Sequence, residues 1–385
     1  MIMKLLRRSF SGLSLTALST SLMLVLGSDT DRSAPITWTN ASGGNWSVVA
    51  NWSPNLMPGS GDDAYIGNYT VTLDVSPTVV GLTLTGGTLR GAGSLAVNGP
   101  FVWSSGTIQN SGGVTLNGTS SLEGADSLIA AYLINAGALT WSGSGSYLNF
   151  NNQGGTLTNL ASGTITITAD VSTANSSPGT IGNAGLITKT GTTGTTTFGP
   201  FVNTGTLSVQ SGTVNLAGSF TLSGGTLKFG ISGATSYGKI NFPGTPAFKG
   251  NLGVNLNGLY WPTVGSAFNL LNYASKPGIL FTNTALPPFI TWQTNYNSTA
   301  FTLTVSARQT NAAPTNLTMS LAGNSNLNLA WPADHTGWQL EAQTNSIQAG
   351  LSNNWVIVPG SGLTNEVNFP ISLANGSVFF RLLYP

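Results

Sequence analysis

The sequence predicts an all-β chain: a right-handed parallel β-helix (a β-solenoid) followed by a small antiparallel β-sandwich. Three observations carry this reading. A short phrase recurs, as Gly86-Gly87-Thr88-Leu89, Ser105-Gly106-Thr107-Ile108, Gly154-Gly155-Thr156-Leu157, Ser162-Gly163-Thr164-Ile165, Thr204-Gly205-Thr206-Leu207, Ser211-Gly212-Thr213-Val214 and Ser223-Gly224-Gly225-Thr226-Leu227. Each copy reads as a turn followed by a strand, and stacked units of that kind form solenoids. Short apolar runs alternate with Thr, Ser or Asn, as in Leu82-Thr83-Leu84, Val114-Thr115-Leu116 and Leu207-Ser208-Val209. That is the period of a strand. No window holds a 3.6-residue pattern, and 50 glycines in 385 residues oppose helix.

Composition bounds the rest. Charged residues make up 6% of the chain, far below the usual quarter or so. The 12 basic and 11 acidic residues nearly cancel. A balanced total predicts no strong field for nucleic acid or an anionic membrane. The 40% hydrophobic content excludes a disordered chain. Cysteine is absent, so neither a disulfide nor a cysteine-bound metal enters the reading. No cofactor is expected.

Residues 1–28 read as a signal peptide. Lys4, Arg7 and Arg8 form a positive start, and Leu13 to Leu26 is apolar apart from Ser and Thr. The run is short for a membrane span and polar residues follow it. Cleavage is expected near Gly27 or Ser28. Arg7-Arg8-Ser9-Phe10 resembles part of a twin-arginine signal. An uncleaved anchor is the alternative. Removing residues 1–27 leaves nine basic and eleven acidic residues, net −2, and no later stretch is apolar enough to span a bilayer. The expected location is outside the cell or on its surface.

Residues 35–80 form a tryptophan-rich N-terminal cap module, with Thr37-Trp38-Thr39-Asn40, Gly43-Gly44-Asn45-Trp46, Asn51-Trp52 and Asp62-Asp63-Ala64-Tyr65-Ile66. The first turn of a solenoid exposes the end of an apolar stack, and bulky aromatic residues can close it. This spacing resembles the opening module of large secreted bacterial proteins related to autotransporter passengers, of the planctomycete and verrucomicrobial type. Residues 81–230 are the repetitive body, read as coils of about twenty residues with two or three strands each. A broad β-sandwich is the alternative. Residues 231–305 have longer strands and more aromatics, and are similar to the closing coils of autotransporter-like β-helices. The resemblance covers about residues 35–305 and implies structure only; it brings no catalytic residues.

Residues 306–314 read as a linker. Residues 315–385 contain six or seven short strand runs, from Leu317-Met319 to Val378-Leu382, and read as a small antiparallel sandwich. It resembles a C-terminal domain of verrucomicrobial secreted proteins, which implies sorting or surface attachment. The chain departs from conventional autotransporters in having no run of membrane-spanning strands after Pro314.

The expected role is structural or adhesive and non-catalytic: a stiff rod presenting a surface to an extracellular polysaccharide or surface protein. The alternative is a carbohydrate-binding protein whose tryptophans stack on sugars. Trp38, Trp46 and Trp52 are candidate platforms, though their spacing favours a buried cap; Trp103 and Trp141 lie in strand runs and are candidates too. A polysaccharide lyase or hydrolase is the third reading. It would need clustered carboxylates, and between residues 81 and 310 the acids are Glu123, Asp126 and Asp170. Glu123 with Asp126, and Asp62 with Asp63, are candidate metal pairs, the first read primarily as a polar loop protruding from a coil and the second as turn and strand-start chemistry. The single histidine, His335, follows Asp334 in an expected exposed turn.

Overall fold

The computed structural model describes residues 35–143, 145–150, 153–173, 179–258, 260–308, 311–323, 325–370, 372 and 376–384. The signal peptide lies outside them. The fold is all-β, with 3% helix and 53% strand, and contains a β-solenoid of about eight turns. The described residues form two compact units, one up to Asn311 and one from Ala312 to Tyr384.

A coil of the solenoid has three strands, such as Leu186–Lys189, Thr195–Phe198 and Phe201–Asn203. Each pairs in parallel with its counterpart one coil on. Register stacks like on like. On the first sheet one inward column reads Leu82, Phe101, Ser120, Leu139, Ile165, Ile187, Leu207, Leu227 and Leu252. Alternation explains it: within each rung the odd residue of a Thr-Leu-x-Leu phrase faces water and its neighbours face the core.

The recurrent glycine marks the corner that leads into this sheet. A Cβ on Gly137, Gly185, Gly205 or Gly250 would lie 2.2 Å from the carbonyl oxygen of Gly118, Gly163, Gly185 or Gly225 respectively, one coil back. Backbone stacks on backbone there, and only glycine fits. Gly205→Ala is expected to lower stability by at least about 1–3 kcal/mol, the usual cost of overpacking. A guanidinium titration checks it; an unchanged midpoint would show that the corner has room.

Just before this corner, two residues ahead of the glycine or, at Asn159, four, asparagine turns inward. Asn135, Asn159, Asn183 and Asn203 are buried and continue the column Val97–Leu116, which resumes at Leu222. Asn135 Nδ2 donates to Asn159 Oδ1 (2.8 Å), Asn159 Nδ2 to Asn183 Oδ1 (2.8 Å), and Asn183 Nδ2 to Asn203 Oδ1 (2.7 Å). The same amides hydrogen-bond corner carbonyls, including those of Gly137, Gly163 and Gly205. A polar row inside an apolar core is sustained because each amide satisfies the next.

The ends differ from the middle. Strand Ile36–Trp38 pairs in parallel with Asp63–Ile66 and antiparallel with Trp52–Ser53. Gly44–Asn45 likewise pairs in parallel with Thr70–Leu73, so the parallel stack already begins at Ile36, inside the expected cap module. At the other end, strand Ala300–Arg308 runs antiparallel to both Ala267–Asn272 and Ile290–Tyr296. It includes Ser306–Arg308, which were expected in the linker. Ser306 Oγ donates to the Thr291 carbonyl, and the pairing continues to Arg308.

The second unit holds two antiparallel sheets of three strands, Thr318–Ala322, Asn326–Ala330 and Glu366–Pro370, and Val356–Ile357, Gln339–Asn345 and Ser377–Leu383. Both feed one core of Leu329, Trp331 and Leu340. Phe369 and Phe380 meet edge to face across it at 5.0 Å.

Candidate functional site

The structure buries every candidate sugar platform. Trp38, Trp46, Trp52, Trp103 and Trp141 are 0–1% exposed. Trp52 meets Trp38 at 4.9 Å and Trp46 at 4.7 Å, both edge to face. Its Nε1 donates to the Trp46 carbonyl and Trp38 Nε1 to the Asn40 carbonyl. These three form part of the N-terminal core. Trp103 and Trp141 take inward positions in the column that runs Leu84, Trp103, Leu122, Trp141, Ile167. No ring face is left for a sugar, so the stacking assignment of these five residues is corrected: the alternation that puts Phe101 inward puts Trp103 inward with it.

The acids do not assemble. Among the described residues no three His, Cys, Asp or Glu side chains come together. Glu123 is exposed, whereas Asp126, on the same strand Thr119–Leu128, is 1% exposed. It was expected in a protruding loop; the strand instead runs unbroken through the corner and turns Asp126 inward. Its register neighbours are Gly106 and Leu148. Neither carboxyl oxygen has a hydrogen-bond partner. Burial pushes its pKa up to about 7, with a further push from Glu123; the Gly124 amide opposes this without a bond of ordinary geometry.

Asp170 belongs to a different arrangement. Its Oδ1 accepts from Lys189 Nζ at 3.0 Å and from Thr192 Oγ1 at 2.8 Å. Lys189 has a fully buried side chain, standing between Ile167 and Val209 in the core column. Burial alone would raise the Asp170 pKa, but the bonds from Lys189 and Thr192 and the lysine charge hold it below the ordinary value.

Asp62 serves a turn, accepting from the Gly59 amide at 2.9 Å. His335 is 5% exposed rather than exposed. Its Nδ1 lies 2.7 Å from Asp334 and its Nε2 2.8 Å from the Ala313 carbonyl. Burial works against protonation, but these two acceptors raise its pKa. Both ring nitrogens are thereby engaged, one by a carboxylate and one by a backbone carbonyl.

What remains is a face. An open groove of about 790 Å³ crosses the outside of the first sheet. Its floor is the outward set Thr164, Leu186, Thr206 and Thr226, beside Thr188, Ser208 and Lys228. One wall is an amide pair from coils far apart in sequence: Gln210 Nε2 donates to Ser208 Oγ (2.6 Å), and Asn255 Nδ2 donates to Gln210 Oε1 (3.1 Å).

Charge is segregated along the chain. The acids of the solenoid are Asp62, Asp63, Asp74, Glu123, Asp126 and Asp170; from 171 to 333 there is none, but there are Lys189, Lys228, Lys239, Lys249, Lys276 and Arg308. Lys189 is taken by Asp170. Arg308 donates to the Pro262 and Trp261 carbonyls, and Lys239 lies 4.7 Å over the Tyr237 ring. Lys228, in the groove, is exposed and has no carboxylate partner among the described residues. Sequence reasoning missed this because it weighed total charge; the positions of the acids carried the signal.

The chain matches no protein-family model, and no curated protein matches it in sequence. No helix among the described residues is long and apolar enough to cross a membrane.

Proposed function

We propose that this chain is an exported, cell-surface structural and adhesive rod that works by contact rather than by chemistry. One observation supports the reading above the rest: among the described residues the coils present a broad, concave face lined by hydroxyls and amides, while the buried asparagine row bonds from coil to coil. Rigidity follows from the same architecture. Backbone bonds between coils, the glycine corner and the asparagine row all resist local opening. A Thr-, Ser- and Asn-rich exterior with few charges suits many weak contacts to a matrix polymer. The autotransporter-like resemblance and the signal-peptide pattern support export.

The experiment is expression of the full chain with a C-terminal epitope in a bacterial host. The expected result is a mature N-terminus near Ser28 by mass spectrometry and an epitope reached by protease or antibody on intact cells. Retention inside the cell with residues 1–27 still attached would overturn the reading.

A further inference from the structure

The groove and the charge segregation are independent observations that meet at Lys228. Resting on the adhesive reading above, we propose that this groove binds an acidic polysaccharide, a polyuronate, with Lys228 pairing with a uronate carboxylate while Thr188, Thr206, Gln210 and Asn255 contact its hydroxyls.

The polymer follows from repetition. Neighbouring coils stand about 4.8 Å apart. Thr206 and Thr226, one coil apart, share a register line with Thr164 that Leu186 interrupts, and Thr188 and Lys228 stand on the next line, either side of buried Ser208. A ladder of like groups suits a chain that repeats its own. The negative charge follows from Lys228. An exposed ammonium without a carboxylate, in a stretch free of acids, attracts an anion and gains little from a neutral sugar. The next coil makes room for it: Gly253 stands beside Lys228, and a Cβ there would lie 3.4 Å from Lys228 Cγ.

Other anions fit less well. Single-stranded nucleic acid asks for aromatic platforms, and no aromatic residue lines the groove. A densely sulfated polymer favours arginine forks, whereas this groove has one lysine and no arginine. An acidic peptide adding as a strand needs an open sheet edge; the floor strands Leu186–Lys189 and Thr206–Val209 are paired on both sides.

The test is affinity electrophoresis of the purified full chain through gels holding alginate, dextran or dextran sulfate. Alginate is expected to retard the wild type, less so as salt rises, and dextran not to. Lys228→Gln is expected to weaken alginate binding about tenfold, the loss of one charge-assisted hydrogen bond. Arg90→Gln, on another sheet of the N-terminal coils, is expected to bind as wild type. Unchanged circular dichroism shows that both variants fold. The proposal is overturned if alginate does not retard the wild type, if Lys228→Gln binds equally well, or if dextran is bound as tightly as alginate. Dextran sulfate binding that ignores Lys228→Gln, without alginate binding, would mean diffuse attraction and overturns it as well. A chain displayed on cells that ignores alginate would sink this proposal alone; a chain never exported would sink the adhesive reading first.

Discussion

Replacing Asp126 with asparagine is expected to make the solenoid's stability nearly independent of pH between about 4 and 8, where the wild type weakens steadily. The cause is a carboxyl group placed where only its neutral form is welcome. Asp126 points into the core between Leu122 and Leu128, 1% exposed, and no group bonds its oxygens. Folded, its pKa is raised to about 7; unfolded, it returns to 3.8. A raised pKa gives stability that is complete below the unfolded value and is lost as pH climbs through the folded one. About three pKa units correspond to about 4 kcal/mol lost between pH 4 and 8. The charged groups facing this position include Glu123, on its own strand, which adds to the loss by repelling the ionised form.

Other titrations do not mimic the effect. Despite some burial, hydrogen bonds from Ser47 hold Asp74 low, and Asp170 is held low by Lys189. Their stabilisation is present above pH 3.8 and fades as pH falls further, outside the window. His335 has a raised pKa, so its contribution is present below 6.5 and is lost as pH rises; it is common to both proteins and cancels in the difference. Guanidinium midpoints of wild type and Asp126→Asn, taken each half pH unit, give that difference directly. It should widen by about 4 kcal/mol from pH 4 to 8. A constant offset would mean that Asp126 is solvated or paired, and the argument would fail.

The solenoid was legible where sterics act residue by residue. A corner that admits only glycine writes glycine at coil after coil, as at Gly118, Gly137, Gly163, Gly185, Gly205 and Gly225, so the Gly-Thr-Leu phrase announces itself. Strand alternation likewise marks Leu207 and Leu227 as inward. All six short strands of the terminal domain appear where turn signals bracket apolar runs. The asparagine row was harder to see, because its steps are 24, 24 and 20 residues; loops of unequal length between strands blur the period. Asp126 was misjudged for a different reason. Gly124-Ala125-Asp126 looks like a turn, and only the inward set Leu122, Asp126 and Leu128 around it, separated by even steps, betrays a strand that keeps going. The groove could not be read at all, since Gln210 and Asn255 meet only when the coil carrying Gly230 is stacked between them.

Asn183→Asp provides the converse experiment, inserting a carboxyl into a buried row that needs donors. Asn183 accepts from Asn159 Nδ2 and donates to Asn203 Oδ1 at 2.7 Å and to the Thr206 carbonyl at 3.0 Å. A carboxylate keeps the first bond but turns the other two into oxygen facing oxygen. A buried charge without compensation costs about 3–5 kcal/mol, so a large fall in the guanidinium midpoint is expected at pH 7. Asn183→Leu separates charge from shape. Leucine already occupies the row's flanking positions at Leu116 and Leu222, and it leaves Asn203 Oδ1 without its donor, at about 1–3 kcal/mol. The expected order at pH 7 is wild type, then Leu, then Asp. At pH 4 the aspartic acid regains a proton and can donate to Asn203 again, so its deficit relative to wild type should shrink while that of the leucine variant stays. If the aspartate variant matches wild type at pH 7, or fails to recover in acid, the amides are not linked donor to acceptor from coil to coil, and the row contributes packing alone.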